Sequence, residues 1–465
     1  MADFDYDSEF VTSSGQPGRS VTIDSDSPRV TTNLDLIAAA GCTNIVKDVL
    51  IYVKYVKAPL AGLAMAVEQM GRATMHWGRV NRLQLDFAGI VRDNHDNTVA
   101  FQSLARALLG MCPGVRNLQT DSLAISSSVD GLFALLVAGY ASQLREFHGR
   151  TGPLPAGVAF NQLERLTLSL RESDGLPPQS VDTGRLRHLQ LDSLPLSFSW
   201  DMFTSNGSQG IVFPELVSLS IDYVWLALVN PQCLLRLHFP KLQTAKVRCY
   251  TYEMLLLFWA VFPTKMDKLE IESSAEQLLT LDDMEIPQVK HIHFTLTGHV
   301  VDPEALVAVS RFLRRACCSK KGLTIKSSWA DVRPETITCT DLTSLKVHTQ
   351  VSSDMVLALI EHLQRLQTLE FSDVDTRGML ADVSVAPLDA HEPMEPLSTS
   401  LQSLEIMPNR DSSGYDTVAL AKYLLVRLPN MKCFSMFRVS KQSLLDFACE
   451  YVSLYPHLAN ASCVF

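Results

Sequence analysis

Two histidines, His291 and His293, stand one residue apart in the run VKHIHF, which alternates in the manner of a β-strand. Alternate residues of a strand lie on one face, so both imidazoles would project side by side, as two ligands of a zinc ion do. No cysteine or carboxylate completes a ligand set at a recognisable spacing. We therefore interpret the pair as part of a solvated strand face and expect neither a metal ion nor another cofactor.

Basic side chains recur around these histidines at positions that we assign to the same face of neighbouring strands. Adjacent strands lie about 4.8 Å apart, so residues distant in sequence would converge there. Such a cluster suits an acidic or phosphorylated protein segment, with binding that weakens as salt rises and with histidines that add affinity below about pH 6.5. The alternative is that any repeated sheet has a polar outer face. The candidate partner-binding residues are Lys246, Arg248, Lys268, His291, His293, Lys346 and His348, with Lys326 beside them.

Motifs that carry catalysis are absent from the sequence. It contains no GxSxG, P-loop or HExxH motif, and no pair of carboxylates whose placement can be argued. We therefore expect a protein that is not an enzyme. An enzyme-regulating protein, such as a GTPase activator, is a distant alternative, because it would need an arginine at a position that sequence does not reveal.

One apolar pattern, LxxLxL, recurs along most of the chain and must position these side chains. Clear copies are residues 160–168 (FNQLERLTL), 213–221 (FPELVSLSI) and 342–347 (LTSLKV). With looser copies, whose fourth positions include Val49, Phe147, Ile292, Leu323 and Phe434, there are about fifteen units at spacings of roughly 19 to 35 residues. The repeats are irregular in length but continuous, which predicts one array in place of separate domains.

Segments with helical periodicity lie between several copies, so strand and helix alternate. We predict helices over 101–111, 305–317, 355–366 and 418–428, the second of them capped by Asp302 with Pro303 at its first position. The apolar run 131–141 is too short to cross a bilayer and is interpreted as a core helix. The fold class is therefore α/β, a solenoid with a parallel sheet.

The period of two in each strand assigns its residues to two faces. The fourth position of each copy should be buried, and the third, fifth and seventh should face outward with polar side chains. Met407 and Phe437 are the most evident exceptions, being apolar at outward positions. The predicted core leucines are Leu166, Leu189, Leu219, Leu345, Leu369 and Leu404. The N-terminal half of the outer face is predicted to be more acidic, because it carries Asp48, Asp86, Asp121, Asp192 and Asp222.

These copies resemble the leucine-rich-repeat family, and the long, uneven units are most similar to the F-box-associated leucine-rich-repeat proteins of fungi. The resemblance covers roughly residues 45 to 440 and implies a horseshoe with a concave parallel sheet and a helical or irregular convex side. The asparagine or cysteine usual at the ninth position of the repeat matches only at Asn409, and no F-box is legible before the first copy. The favoured function is a non-catalytic protein-binding module with its partner on the concave face. The alternative that the resemblance implies is a substrate receptor of a ubiquitin ligase that binds the adaptor Skp1.

Composition defines the remaining organisation. Residues 1–33 are acidic and rich in Ser and Thr, so we expect a disordered tail, followed by a repeat domain over 34–465 with a flexible loop at 375–400. The formal net charge of −10 argues against nucleic-acid or membrane partners. Ten cysteines without CxxC pairs and an N-terminus without an apolar signal segment indicate a cytoplasmic or nuclear protein, which we expect to be a monomer.

Overall fold

The computed structural model of the protein contains two compact units. The first comprises described residues up to Leu242 together with Ala260–Phe262, and the second comprises the described residues from Gln243 onward except those three. The described residues are 20–24, 48–53, 79–87, 95–122, 127–150, 154, 156–169, 178–192, 198, 200–204, 210–224, 236–249, 260–274, 286–377, 395–410, 414–437 and 439–457.

The first unit is built on a parallel sheet in which β1, β2, β3, β4, β5, β6, β8 and β11 are neighbours in that order. β7 pairs with β9, and β10 with β12, in two short separate ladders. Its helices are α1 (His95–Met111) and α2 (Ser127–Tyr140). The strands are β1 (Ser20–Asp24), β2 (Asp48–Val53), β3 (Arg82–Phe87), β4 (Asn117–Ser122), β5 (Glu146–Gly149), β6 (Arg165–Ser169), β7 (Val181–Asp182), β8 (His188–Asp192), β9 (Phe203–Thr204), β10 (Ile211–Val212), β11 (Ser218–Val224) and β12 (Leu237–His238).

The second unit is a parallel sheet of β13 to β20 in sequence order. Helices follow four of its strands: α3 (Pro303–Arg315), α4 (Ser353–His362), α5 (Gly414–Arg427) and α6 (Lys441–Tyr451). The strands are β13 (Thr244–Cys249), β14 (Lys265–Ser274), β15 (Gln288–Val301), β16 (Lys320–Ala330), β17 (Ser344–Ser352), β18 (Thr368–Asp375), β19 (Ser403–Pro408) and β20 (Cys433–Met436). The protein is therefore a mixed α/β protein with parallel strands, as the pattern predicted.

The core forms where apolar residues at equivalent positions stack from strand to strand. Leu166, Leu189 and Leu219 lie opposite one another on β6, β8 and β11, and Leu345, Leu369 and Leu404 do so on β17 to β19. All six are at most 1% exposed, as predicted. Each buried leucine side chain stabilises the fold by about 1.5–3 kcal/mol relative to an exposed one.

Local sequence explains where the helices begin and end. Asp302 caps α3, because its Oδ1 accepts a hydrogen bond of 2.7 Å from the Ala305 amide, and Pro303 occupies the first turn. Arg314 and Arg315 lie in the last turn, where positive charge offsets the helix dipole. The four helices predicted from periodicity correspond to α1, α3, α4 and α5, and the core helix predicted over 131–141 corresponds to α2. The helix α6 was not predicted.

The tail expected over residues 1–33 contains a strand. Val21 and Ile23 alternate with polar residues in β1, and β1 pairs with β2 as a parallel strand. This pairing satisfies the backbone of β1, which the polar composition of the tail did not predict. The other residues of the predicted tail lie outside the described residues. So do 378–394 of the loop predicted at 375–400, whereas Asp375 ends β18 and Leu397 is buried, its amide bonded to the Arg427 carbonyl at 2.9 Å.

Arg150 departs from the predicted alternation, which placed it on the outer face. Gly149 has a φ of 122°, and after it the Arg150 amide bonds to both the carbonyl and the hydroxyl oxygen of Thr120. The Arg150 side chain is buried and forms an ion pair of 2.9 Å with Asp130 of α2. A left-handed glycine thus reverses the alternation at the end of β5.

The register between β15 and β16 also differs from the one predicted. We aligned Leu323 with Ile292, but Leu323 lies opposite Phe294, and Lys321 lies opposite Ile292. Lys321 consequently occupies a position that the pattern assigned to an apolar residue. Its side chain is buried, and its Nζ forms an ion pair of 2.7 Å with Asp341 Oδ2.

No helix among the described residues is both long enough and apolar enough to span a bilayer.

Candidate protein-binding face of the second unit

The seven predicted binding residues all lie on one face of the second unit, at positions that alternate with the buried ones. We call this surface, over β13 to β17, the basic face. The register places Lys268 opposite His291, and Lys326 opposite His348. Lys246 and Arg248 lie on β13, His293 on β15 and Lys346 on β17.

Carboxylates lie between these cations, and the sequence analysis did not foresee this pairing. Arg248 forms an ion pair with Glu272 at 2.8 Å, Lys268 pairs with Glu270 at 2.5 Å, and Lys346 pairs with Glu370. Glu270 and Glu272 follow Lys268 along β14, and Glu272 is only 8% exposed. Each ion pair holds its two side chains in place. The carboxylates also neutralise part of the positive charge of the basic face within the chain.

Lys246 and Lys326 differ from these paired cations. Both are exposed, and no carboxylate of a described residue lies within ion-pair distance of either. Lys326 lies beside His348, whose Nδ1 is hydrogen-bonded to the Ser372 hydroxyl at 3.1 Å and whose Nε2 is 3.9 Å from a Glu370 oxygen. Among the predicted binding residues and Lys326, these two lysines are therefore the cations best placed to bind a partner's anion.

His293 occupies the centre of the basic face. Its ring lies against Gly322, where a Cβ would be 2.1 Å from Nδ1, and its Nε2 is hydrogen-bonded to Thr324 Oγ1 at 2.9 Å. The sequence analysis did not include Gly322 and Thr324 in the site. The signal that could have identified Gly322 is a glycine inside a strand, which often marks a place where another group approaches the backbone closely.

The pKa of His293 lies below its ordinary value of 6.5, mainly because burial disfavours the imidazolium. The Glu270 carboxylate raises this pKa in part, and the surrounding lysines Lys268, Lys346 and Lys326 lower it further. We expected His293 to add positive charge just below pH 6.5. That expectation is wrong for this histidine, which contributes a neutral ring and a hydrogen-bonding nitrogen near neutral pH.

The acidic residues predicted for the N-terminal half lie in the first unit. Asp86 and Asp121 are opposite each other on β3 and β4, and burial, followed by repulsion from Asp121, raises the pKa of the Asp86 carboxyl. Asp192 accepts hydrogen bonds from Gln190 along β8. Asp48 is the first residue of β2, and Asp222 lies within β11.

The described residues contain no group of three or more His, Cys, Asp and Glu side chains placed to hold a metal ion. His291 and His293 share a face of β15, but the nearest outward neighbours of His293 are Glu270 and Gly322, and those of His291 are Lys268 and Lys320. Lysines beside the pair suit an anion better than a cation.

Compared with protein-family models and with curated proteins, the sequence matches none.

Proposed function

We propose that this protein is a non-catalytic leucine-rich-repeat module that binds an acidic or phosphorylated segment of a partner protein on the basic face. Repeated parallel strands with leucines in register, and helices between several of them, support the repeat assignment. A rigid sheet with side chains supplied by successive strands is a suitable surface for a protein segment that lies across it.

The observation that carries the proposal is the placement of two exposed lysines, Lys246 and Lys326, on a face where three other cations are held by carboxylates. Paired residues such as Lys268 and Lys346 are kept in defined positions, whereas Lys246 and Lys326 retain charge for a ligand. Across β13 to β16 these two lysines flank His293, which donates or accepts one hydrogen bond without adding charge.

The test is a charge reversal of the two exposed lysines, Lys246→Glu with Lys326→Glu, probed by fluorescence anisotropy with labelled peptides rich in glutamate or phosphoserine. Arg248 and Lys346 are left intact because reversing them beside Glu272 and Glu370 would place like charges together. A matched control, Arg106→Glu with Arg365→Glu, changes the net charge equally at exposed positions on α1 and after α4.

We expect the wild type and the control to bind the acidic peptides, with affinity that falls as salt screens charges beyond about 8–10 Å. The lysine reversal should lose most of this binding while its thermal unfolding is unchanged. Equal binding by the wild type and the lysine reversal, or equal losses in the reversal and its control, would show that the basic face is only a solvated surface.

A further inference from the structure

Two apolar side chains interrupt the polar outer face at the C-terminal end of the second unit. Met407 on β19 is 38% exposed, and Phe437, directly after β20, is 58% exposed. They are neighbours across the sheet, because Ile406 lies opposite Met436 and the Phe437 amide donates a hydrogen bond of 3.1 Å to the Ile406 carbonyl. An exposed apolar pair on an otherwise polar sheet marks an interaction site when its surroundings specify what covers it.

The surroundings are specified by the row of residues in which the pair lies. Lys326 and His348 are opposite each other on β16 and β17, and His348 is hydrogen-bonded to Ser372 on β18. Met407 and Phe437 continue this row on the next two strands. We call this row, which consists of Lys326, His348, Ser372, Met407 and Phe437, the mixed row. Basic side chains lie at one end of it and apolar side chains at the other.

The adjacent row supplies a third chemical feature. Glu370 and Glu405 lie opposite each other on β18 and β19, an arrangement that is unfavourable for two carboxylates. Glu370 is paired with Lys346, whereas Glu405 is exposed and no cation of a described residue lies within ion-pair distance of it. A positive charge from outside the chain would therefore be stabilised beside Glu405.

We propose that the mixed row binds an extended protein segment carrying an anionic residue, a basic residue and a large apolar residue in that spatial order. The anion contacts Lys326 and His348, the basic residue pairs with Glu405, and the apolar side chain lies on Met407 and Phe437. Three strand spacings of about 4.8 Å separate the midpoint of Lys326 and His348 from the midpoint of Met407 and Phe437, a distance of about 14 Å that roughly four residues of extended chain cover at about 3.4 Å each. This inference rests on the proposed function and defines the partner that the basic face selects.

The test uses labelled Gly/Ser-rich decapeptides that carry phosphoserine, a lysine two residues later and a leucine four residues later, with fluorescence anisotropy as the readout. Comparison peptides replace the leucine by serine, exchange the lysine and the leucine, replace the lysine by glutamate, replace phosphoserine by glutamate, or reverse the order of residues. The glutamate peptide distinguishes a carboxylate ligand from a phosphate ligand. The reversed peptide is included because the row does not fix chain direction, and the tighter of the two directions is used.

We expect the leucine at the fourth position to strengthen binding to the wild type by about tenfold, as a single apolar anchor in an interface does. Met407→Ser with Phe437→Ser should bind the leucine and serine peptides equally and keep the salt dependence of the wild type. The control is Leu445→Ser, which removes a comparably exposed side chain of α6 and should retain the tenfold preference. Glu405→Lys should reverse the preference for lysine and bind the peptide with glutamate at that position more tightly.

Equal affinity of the wild type for the leucine and serine peptides would overturn this inference and leave the proposed function standing, provided that both peptides bind in a salt-dependent way. Absence of binding by every anionic peptide at low salt would overturn the proposed function, and this inference with it.

Discussion

His293 and Gly322 face each other on β15 and β16 with no room for a side chain on the glycine. A Cβ added to Gly322 would lie 2.1 Å from His293 Nδ1, well inside van der Waals contact. The missing side chain leaves room for the edge of the imidazole that carries Nδ1, while Nε2 reaches the Thr324 hydroxyl. The conformation of the central residue of the basic face therefore depends on a glycine.

Replacement of Gly322 by alanine should displace the His293 ring and lower the free energy of unfolding by about 1–3 kcal/mol, the usual cost of overpacking. The same replacement in a His293→Ala background should cost much less, because the atoms that clash are gone. Urea unfolding of the wild type, both single variants and the double variant measures the coupling energy directly. Additive effects would mean that the two residues do not meet.

The depressed pKa of His293 predicts how stability depends on pH. Above pH 6.5 the ring is neutral in both the folded and the unfolded chain, so it has no effect. As the pH falls below 6.5, the unfolded chain takes up a proton before the folded one does, and the free energy of unfolding decreases.

The His293→Gln variant should lose less stability than the wild type between pH 7.5 and pH 5.5, measured by urea unfolding at each pH. His148→Gln, at an exposed position of β5, provides the control for the same replacement outside the basic face. If both variants follow the wild type, burial does not suppress protonation of His293.

Gly149 provides a second test of a glycine that the fold requires. It has a φ of 122°, and an added Cβ would lie 1.7 Å from the Thr120 carbonyl oxygen. Gly149→Ala should therefore cost at least about 1–3 kcal/mol from backbone strain, and more if the Arg150–Asp130 ion pair is disturbed.

Gly131 is the matched control, because it lies within α2 and no atom beyond its chain neighbours and the backbone of its own helix would lie within 4 Å of an added Cβ. Gly131→Ala should raise stability by about 0.5–1 kcal/mol through helix propensity. Thermal unfolding followed by circular dichroism separates the two variants, and a shift of the same sign in both would contradict the structural distinction.

Alternation of apolar and polar residues was sufficient to predict which face of most strands is buried. Leu345, Leu369 and Leu404 are in register and buried because each belongs to a clear LxxLxL copy with a single possible alignment. Ile292 lies opposite Leu269 and Leu323 lies opposite Leu345, as their copies predict, but the register shifts by two residues between β15 and β16. This shift places Lys321 opposite Ile292, where its burial is tolerated because Asp341, in the next repeat, compensates its charge.

The candidate site was less predictable than the fold because its electrostatics depend on pairs between strands. The outward position of Lys346 follows from its own copy, but its pairing with Glu370 requires the register of β17 against β18. Likewise, the burial of His293 depends on Gly322 in the following repeat, so a single strand does not reveal that its pKa is lowered.

Lys321 is a buried cation whose counter-charge is clearly defined. Its Nζ lies 2.7 Å from Asp341 Oδ2 and 3.3 Å from the Arg314 carbonyl, and only 4% of its side chain is exposed. Burial raises the pKa of Asp341, but hydrogen bonds from Lys321 and from the Cys339 thiol, at 3.1 Å, more than offset this and leave the pKa lowered. The Asp341 carboxylate is therefore ionised at neutral pH, where it balances the positive charge of Lys321.

Removal of the Asp341 carboxylate should consequently lower the free energy of unfolding far more than removal of the buried Lys321 charge. Asp341→Ala leaves the Lys321 ammonium buried without a counter-ion and should lower the free energy of unfolding by about 3–5 kcal/mol. Lys321→Met keeps the apolar stem and should be close to neutral, since Asp341 is 35% exposed and can be hydrated. Asp267→Ala breaks the exposed Lys290–Asp267 pair and, as the control, should cost about 0–1 kcal/mol. Urea unfolding at pH 7 compares all three, and a loss in Asp341→Ala no larger than in Asp267→Ala would show that Lys321 is hydrated.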